Sequence, residues 1–367
     1  MPFDSLSVMA QLTAQTGTWT ELVRSQEDAV RMARTLYSTT PHDVWCAQVG
    51  AALAAPQTRQ WLAQPHTPLH TFAAHDPLDA GYSVLAVDGS EIAPERHRGS
   101  RSYLVNIGRV FIRYGAEPYA ALDSISTHYL ALTSDHSEEV GWGRQVQATR
   151  TLREIEELAQ IAAQEHPDMA LLDGSIFPLA LALRRDADGI RWRAAYQRFL
   201  DMFGELEIPI VAYISKPESR MVVTALRHLA APGSPLSMLD DATLFWHLLA
   251  PGERSPVFRA QSIPGLSAQD TPWAQIGFCY LATRYEIAKL EFPLWVADAG
   301  HLDHVQRVLL RQCELGNGYP NVLTLAHQQA VLTAQDREAY FYLLEQVGML
   351  TPLSEKARGK RAVGASM

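Results

Sequence analysis

Short apolar runs closed by turn residues alternate along this chain with longer stretches of helical period, and the alternation predicts an α/β fold. Ser83-Val84-Leu85-Ala86-Val87 and Met169-Ala170-Leu171-Leu172 are the plainest runs. Four or five apolar residues stopped by a turn read as strands buried on both faces. Ser102 to Ile107 and Val110 to Tyr114 alternate, and the Gly108-Arg109 link between them predicts a hairpin. Further strands are expected at Ser126 to Thr133, Ile208 to Ile214, Val257 to Ser262, Ile276 to Ala282 and Phe292 to Ala297.

Helical periodicity marks much of the rest. From Glu21 to Tyr37, Leu22, Val23, Ala29, Val30, Met32, Ala33 and Leu36 recur close to a 3.6-residue period. Helices are also expected at Val146 to His166, Trp192 to Leu206, Asp303 to Cys313 and Arg337 to Val347. The order strand, hairpin, strand, long helix, strand, helix, strand predicts a mixed sheet flanked by helices. The expected organisation is a helical N-terminal region over 1–75, a domain over 76–350 and a tail over 351–367. That tail carries Lys356, Arg358, Lys360 and Arg361 among small residues and reads as a disordered end.

Composition acts mainly by exclusion. The 367 residues are 47% hydrophobic and 19% charged, an ordinary soluble composition. No apolar stretch approaches the roughly 18 residues of a membrane span, and the start lacks the pattern of a secretion signal. Cys46, Cys279 and Cys313 are far apart with no CxxC, which points to a reducing cytoplasm. A net charge of −9 disfavours a broadly basic, nucleic-acid-coating surface but allows a local basic channel. No GxxxxGK[ST] phosphate loop, GxGxxG, HExxH or GxSxG is present, so nucleophile and cofactor classes are poorly supported.

Chemistry enters with a repeated tripeptide. Asp88-Gly89-Ser90 and Asp173-Gly174-Ser175 each close one of the two plainest strands. In open α/β sheets, ligands bind at the carboxyl ends of strands. One Asp-Gly after a strand is ordinarily only a turn; two of them, each followed by Ser, favour one metal centre built from two strands. Hard divalent ions take several oxygen ligands, and the helix after Val146 is the expected third donor. Among its acidic residues Glu156 borders the apolar face of Leu152, Ile155 and Ala159, so it is preferred, with Glu154 and Glu157 as alternatives. His327, in an apolar segment after Gly318-Tyr319-Pro320, is a candidate metal ligand or proton shuttle. Lys216 ends the apolar run through Tyr213 and is a candidate phosphate contact.

These blocks, taken in order, resemble the NurA family of nucleases. The resemblance rests on Val87-Asp88-Gly89-Ser90, a helix carrying Glu156, Leu171-Leu172-Asp173-Gly174-Ser175, Tyr213-Ile214-Ser215-Lys216, Gly318-Tyr319-Pro320 and Ala326-His327. It implies a ribonuclease-H-like core and a Mn²⁺-dependent 5′–3′ exonuclease and single-strand endonuclease, with Mg²⁺ as the alternative ion. It also implies a homodimer acting on single-stranded DNA and duplex ends, docked on a HerA-type hexameric ATPase in resection for recombinational repair. Carried over by residue, Asp88, Glu156, Asp173 and His327 would hold the metal, and Tyr213 and Lys216 would position the phosphate. The competing expectations are a non-catalytic DNA clamp or scaffold for the translocase, and a metal-dependent phosphoesterase acting on nucleotides or RNA.

Overall fold

A computed structural model describes residues 3–55, 61–79, 81–131, 138–176, 187–231, 233–261 and 276–350. The elements begin with α1 (Ser5–Thr39), α2 (His42–Ala54), β1 (Leu62–Pro65), β2 (Ala73–Ala74), β3 (Tyr82–Ile92), β4 (Ser102–Tyr114) and β5 (Tyr119–Leu130). Next come α3 (Glu138–Glu165), β6 (Met169–Asp173), α4 (Ala187–Glu205), β7 (Ile210–Ile214), α5 (Met221–Leu229) and α6 (Asp241–Trp246). After these the chain forms β8 (Glu253–Arg254), β9 (Phe258–Gln261), β10 (Ile276–Ala282) and β11 (Ile287–Pro293). It closes with α7 (Leu294–Asp298), α8 (Leu302–Leu315), α9 (Asn321–Ala330) and α10 (Ala334–Gln346). None of the described helices is long and apolar enough to cross a membrane. The described residues fall into two compact units, Met1–Pro77 with Ile214–Leu310 and Leu78–Tyr213 with Arg311–Met367.

In the second unit five strands run in the order β5-β4-β3-β6-β7. The meander β3–β4–β5 is antiparallel, and β6 and β7 add to β3 in parallel. Parallel neighbours need a crossover, which α3 supplies between β5 and β6. This is the ribonuclease-H-like arrangement that the sequence led us to expect. Val84 to Val87 and Met169 to Leu172 are buried, as a strand covered on both faces requires. The buried stripe of α3 is Ile155, Leu158, Ala159 and Ala162, facing that sheet.

The first unit pairs β1, β9, β10 and β11 antiparallel. Its core gathers Tyr37, Trp45, Phe245, Phe258, Phe278 and Tyr280, all fully buried. Trp45 Nε1 donates to Ala63 O at 2.9 Å and Tyr37 OH to Leu69 O at 2.8 Å, so both polar tips are satisfied. Asp241, wholly buried, accepts from the Val223 N–H at 2.8 Å and from Tyr280 OH at 2.7 Å.

Three expectations fail here. Gly108-Arg109 does not turn the chain: Ser102–Tyr114 is one continuous strand. Gly108 is there for close approach, because a β-carbon on it would strike the backbone of α9 at Ala326, Gln329 and Ala330. The strand expected at Phe292 to Ala297 lies instead over Ile287–Pro293, paired with Ile276–Ala282, and Pro293 caps α7. The strand expected from Ser126 begins at Tyr119; it is an exposed edge on which polar residues blur the alternation. The basic tail lies outside the described residues, as do residues 132 and 133.

Candidate metal centre

Parallel register brings the two Asp-Gly-Ser motifs together. Val87 pairs with Leu172, so one residue further on Asp88 lies beside Asp173. Asp173 ends β6, but Asp88 does not close its strand as expected, because β3 pairs on with β4 as far as Ile92. The two glycines serve different physical needs. Gly174 has φ +84, left-handed backbone that takes the chain away from Asp173, and its N–H donates to Tyr213 O at 3.0 Å. Gly89 stays in the strand but leaves no room for a side chain, because Glu154 Oε1 and the Arg150 stem occupy the place of its β-carbon.

Helix α9 supplies the opposite wall. Asn317 and Gly318 take positive φ values of 54 and 116, a reversal that delivers Tyr319 to the sheet. Tyr319 OH donates to Asp173 Oδ1 at 2.6 Å, and its ring meets Tyr213 edge-on at 5.4 Å. Further along α9, His327 Nδ1 lies 2.7 Å from Asp88 Oδ2. A carboxylate only accepts, so the ring presents Nδ1–H to Asp88 and keeps Nε2 available; the His327 side chain is 67% exposed. Asp88 Oδ1 accepts from the Gly89 N–H at 2.8 Å. The last carbonyl of α9, Ala330 O, accepts from Asn106 Nδ2 at 2.9 Å and from Ser90 Oγ. The serine of the first motif thereby satisfies an orphan group at a helix end.

Glu156 is the glutamate preferred from sequence, but it is Glu154 that the structure sets against Gly89 of β3 and within the field of Asp88 and Asp173. The two side chains leave α3 on opposite flanks of its buried stripe. Glu156 pairs with Arg153 at 2.5 Å, and Glu157 is buried against Arg109 at 3.1 Å. Those two belong to an ionic cluster with Arg109 of β4 and Asp123 of β5. Glu154 faces β3 instead. Burial pushes its carboxyl up to about 8; Arg150 opposes the rise, and the charges of Asp88, Glu91 and Asp173 add to it. Arg150 Nη1 bonds Glu91 Oε2 at 2.9 Å, and its Nε stands 3.4 Å from Glu154 Oε1.

Tyr213 is fully buried; it pairs with Asp173 across the β6–β7 ladder and meets the Tyr319 ring edge-on. Lys216 belongs to the first unit, is exposed at φ 45, and donates its backbone N–H to Glu286 Oε2 at 3.1 Å. Sequence reasoning passed over Glu91, Arg150 and the role of Tyr319. The available signal was strand alternation, which sets Gly89 and Glu91 on one face and Asp88 on the other.

The donor set is chemically that of a hard divalent ion: carboxylate oxygens outnumber the one guanidinium among them. Resistance of Glu154 to ionisation is relieved by an added cation, so these residues fit such an ion. Among the described residues no three His, Cys, Asp or Glu side chains are already gathered closely enough to enclose one.

Residues 82–332 match the model of the NurA domain. No curated protein matches the chain in sequence. Among solved structures, the catalytic domain of human endonuclease V is 13% identical, covering 75% of this chain and 92% of that one at a TM-score of 0.31. Ciona intestinalis endonuclease V, bound to a DNA containing an inosine, is 9% identical over 72% of this chain and 88% of its own, with a TM-score of 0.29. Thermus thermophilus RuvC is 12% identical over 42% of this chain and 88% of its own, with a TM-score of 0.18. At such scores these likenesses carry no argument about activity; the family match does.

Proposed function

The chain belongs to the NurA family of nucleases, and from that premise we propose that it is a divalent-metal-dependent deoxyribonuclease with Mn²⁺ as its preferred ion. The observation that supports the reading is the parallel register that sets Asp88 of β3 next to Asp173 at the end of β6, with Glu154 against Gly89 and under the charges of both aspartates. Asp88, Glu154 and Asp173 would hold the ion. When bound, it would supply Lewis acidity, activating water for in-line attack and stabilising the leaving 3′ oxygen.

The remaining chemistry belongs to the chain. Tyr319 fixes the rotation of Asp173 through its 2.6 Å bond. His327 fixes Asp88 through Nδ1 and offers Nε2 as the site where a proton is held or passed. The same Nε2 is where His327 would serve in its expected role as a direct metal ligand. Lys216 remains a phosphate candidate only by resemblance.

The finer reading is 5′–3′ exonuclease and single-strand endonuclease action by a cytoplasmic homodimer. It would work with a HerA-type hexameric ATPase in end resection for recombinational repair. The absence of a phosphate loop in the chain favours this division of labour with a separate motor. The test is degradation of single-stranded DNA labelled at its 5′ or 3′ end, with Mn²⁺, Mg²⁺ or chelator, by wild type and Asp88→Ala. Metal-dependent loss that disappears in the variant is expected. Cleavage that survives the substitution, or none with metal and ATPase both present, would favour a non-catalytic clamp.

A further inference from the structure

Arg150 stands in the candidate centre without an assigned role. It lies one helical turn before Glu154 on α3, its stem lies over Gly89, and it bonds Glu91 at 2.9 Å. Two arginines packed around α3 show what a structural clamp looks like in this fold. Arg109 donates to Asp123 at 2.7 and 2.8 Å and to Glu157 at 3.1 Å, and Arg153 holds Glu156 and Glu157. Arg150 is held more loosely. Its Nε comes within 3.4 Å of Glu154 Oε1 but without hydrogen-bond geometry, and that donor is buried with no acceptor among the described residues. Coulomb attraction needs no such geometry. Arg153 Nε is likewise buried without an acceptor among the described residues, so what sets Arg150 apart is its single hydrogen bond, to Glu91, while it meets Glu154 through charge alone.

We propose that Arg150 is the resident counter-ion of this centre, a positioning residue that keeps Glu154 and Glu91 against β3 until a divalent ion takes over its charge. The inference rests on the metal-centre reading above. Like charges confined together disfavour the folded state unless neutralised, and Arg150, whose Nε stands 3.4 Å from Glu154 Oε1, is the positive group set against them. A divalent ion bound by Asp88, Glu154 and Asp173 brings the same sign of charge to the same place. The guanidinium is then dispensable for stability.

The test is thermal melting of wild type, Arg150→Gln and Arg150→Lys in chelator and in saturating Mn²⁺, with Mn²⁺ binding to wild type and Asp88→Asn read by calorimetry. We expect Arg150→Gln to melt several degrees below wild type in chelator and to recover most of that deficit with Mn²⁺. Its metal-induced shift then exceeds that of wild type. Arg150→Lys, which keeps the charge, should track wild type in both conditions. A deficit in Arg150→Gln that is equal with and without metal, or an equal deficit in Arg150→Lys, would overturn the proposal alone. If Arg150→Gln folds only with Mn²⁺ the proposal stands, and if it folds in neither condition the proposal fails. No Mn²⁺ effect on wild type, by melting or calorimetry, would overturn both this proposal and the metal-centre reading.

Discussion

Glu154 Oε1 occupies the position that a β-carbon on Gly89 would take, so the glycine after Asp88 is the gap through which the α3 carboxylate reaches the strand. Gly89→Ala should therefore displace Glu154 and Arg150, whose flexible ends can move, while the strand persists. We expect DNA cleavage to fall about 100-fold, the scale of a small misplacement in an active site. Melting should stay within a few degrees of wild type. Circular dichroism melting beside a cleavage assay separates the two effects; a large loss of stability would mean that Gly89 serves the sheet instead.

Tyr319 offers a second handle, because it touches Asp173 and not the proposed ion. Removing its hydroxyl in Tyr319→Phe leaves the ring against Tyr213 and frees Asp173 to rotate. Loss of such an outer partner typically costs about 10- to 100-fold in metal affinity or activity. The expectation is weaker Mn²⁺ binding by calorimetry with unchanged melting in chelator.

The raised carboxyl of Glu154 predicts a pH dependence with a definite sign. Its ordinary value is 4.5 and in the fold it rises to about 8, so between those values the native state binds more protons than the unfolded chain. Stability from this group is fully present below 4.5 and is lost as pH rises through about 8. Metal-free wild type should melt progressively lower across that window. Glu154→Gln, which cannot ionise, should lose that component of the slope, and Mn²⁺ should flatten it in wild type.

The two buried strands were legible from sequence because short apolar runs are a local signal, but Asp-Gly marks a strand end only at Asp173; β3 continues past Asp88 to Ile92. The strand order was legible too, since helix and strand periods differ sharply. Three matters were not, each for a non-local reason. Gly108 looks like a turn until α9 is seen crossing it at backbone distance. Glu156 and Glu154 both flank the apolar stripe of α3, and only the neighbouring strands decide which flank meets β3; Arg109 draws Glu157 toward β4. Tyr213 ends a buried run beside an active strand end, yet burial makes it a support for Tyr319. Periodicity states which residues are inside, and it leaves open what they face.

The most direct measurement compares metal-dependent cleavage of single-stranded DNA by Glu154→Gln and Glu156→Gln. Glu154 stands with Asp88 and Asp173, whereas Glu156 is tied to Arg153 at 2.5 Å. We predict that Glu154→Gln loses activity by about 100-fold or more, at least the upper end for outer-shell partners. Glu156→Gln should remain within a few-fold of wild type. An inactive Glu156→Gln beside an active Glu154→Gln would contradict the centre described here.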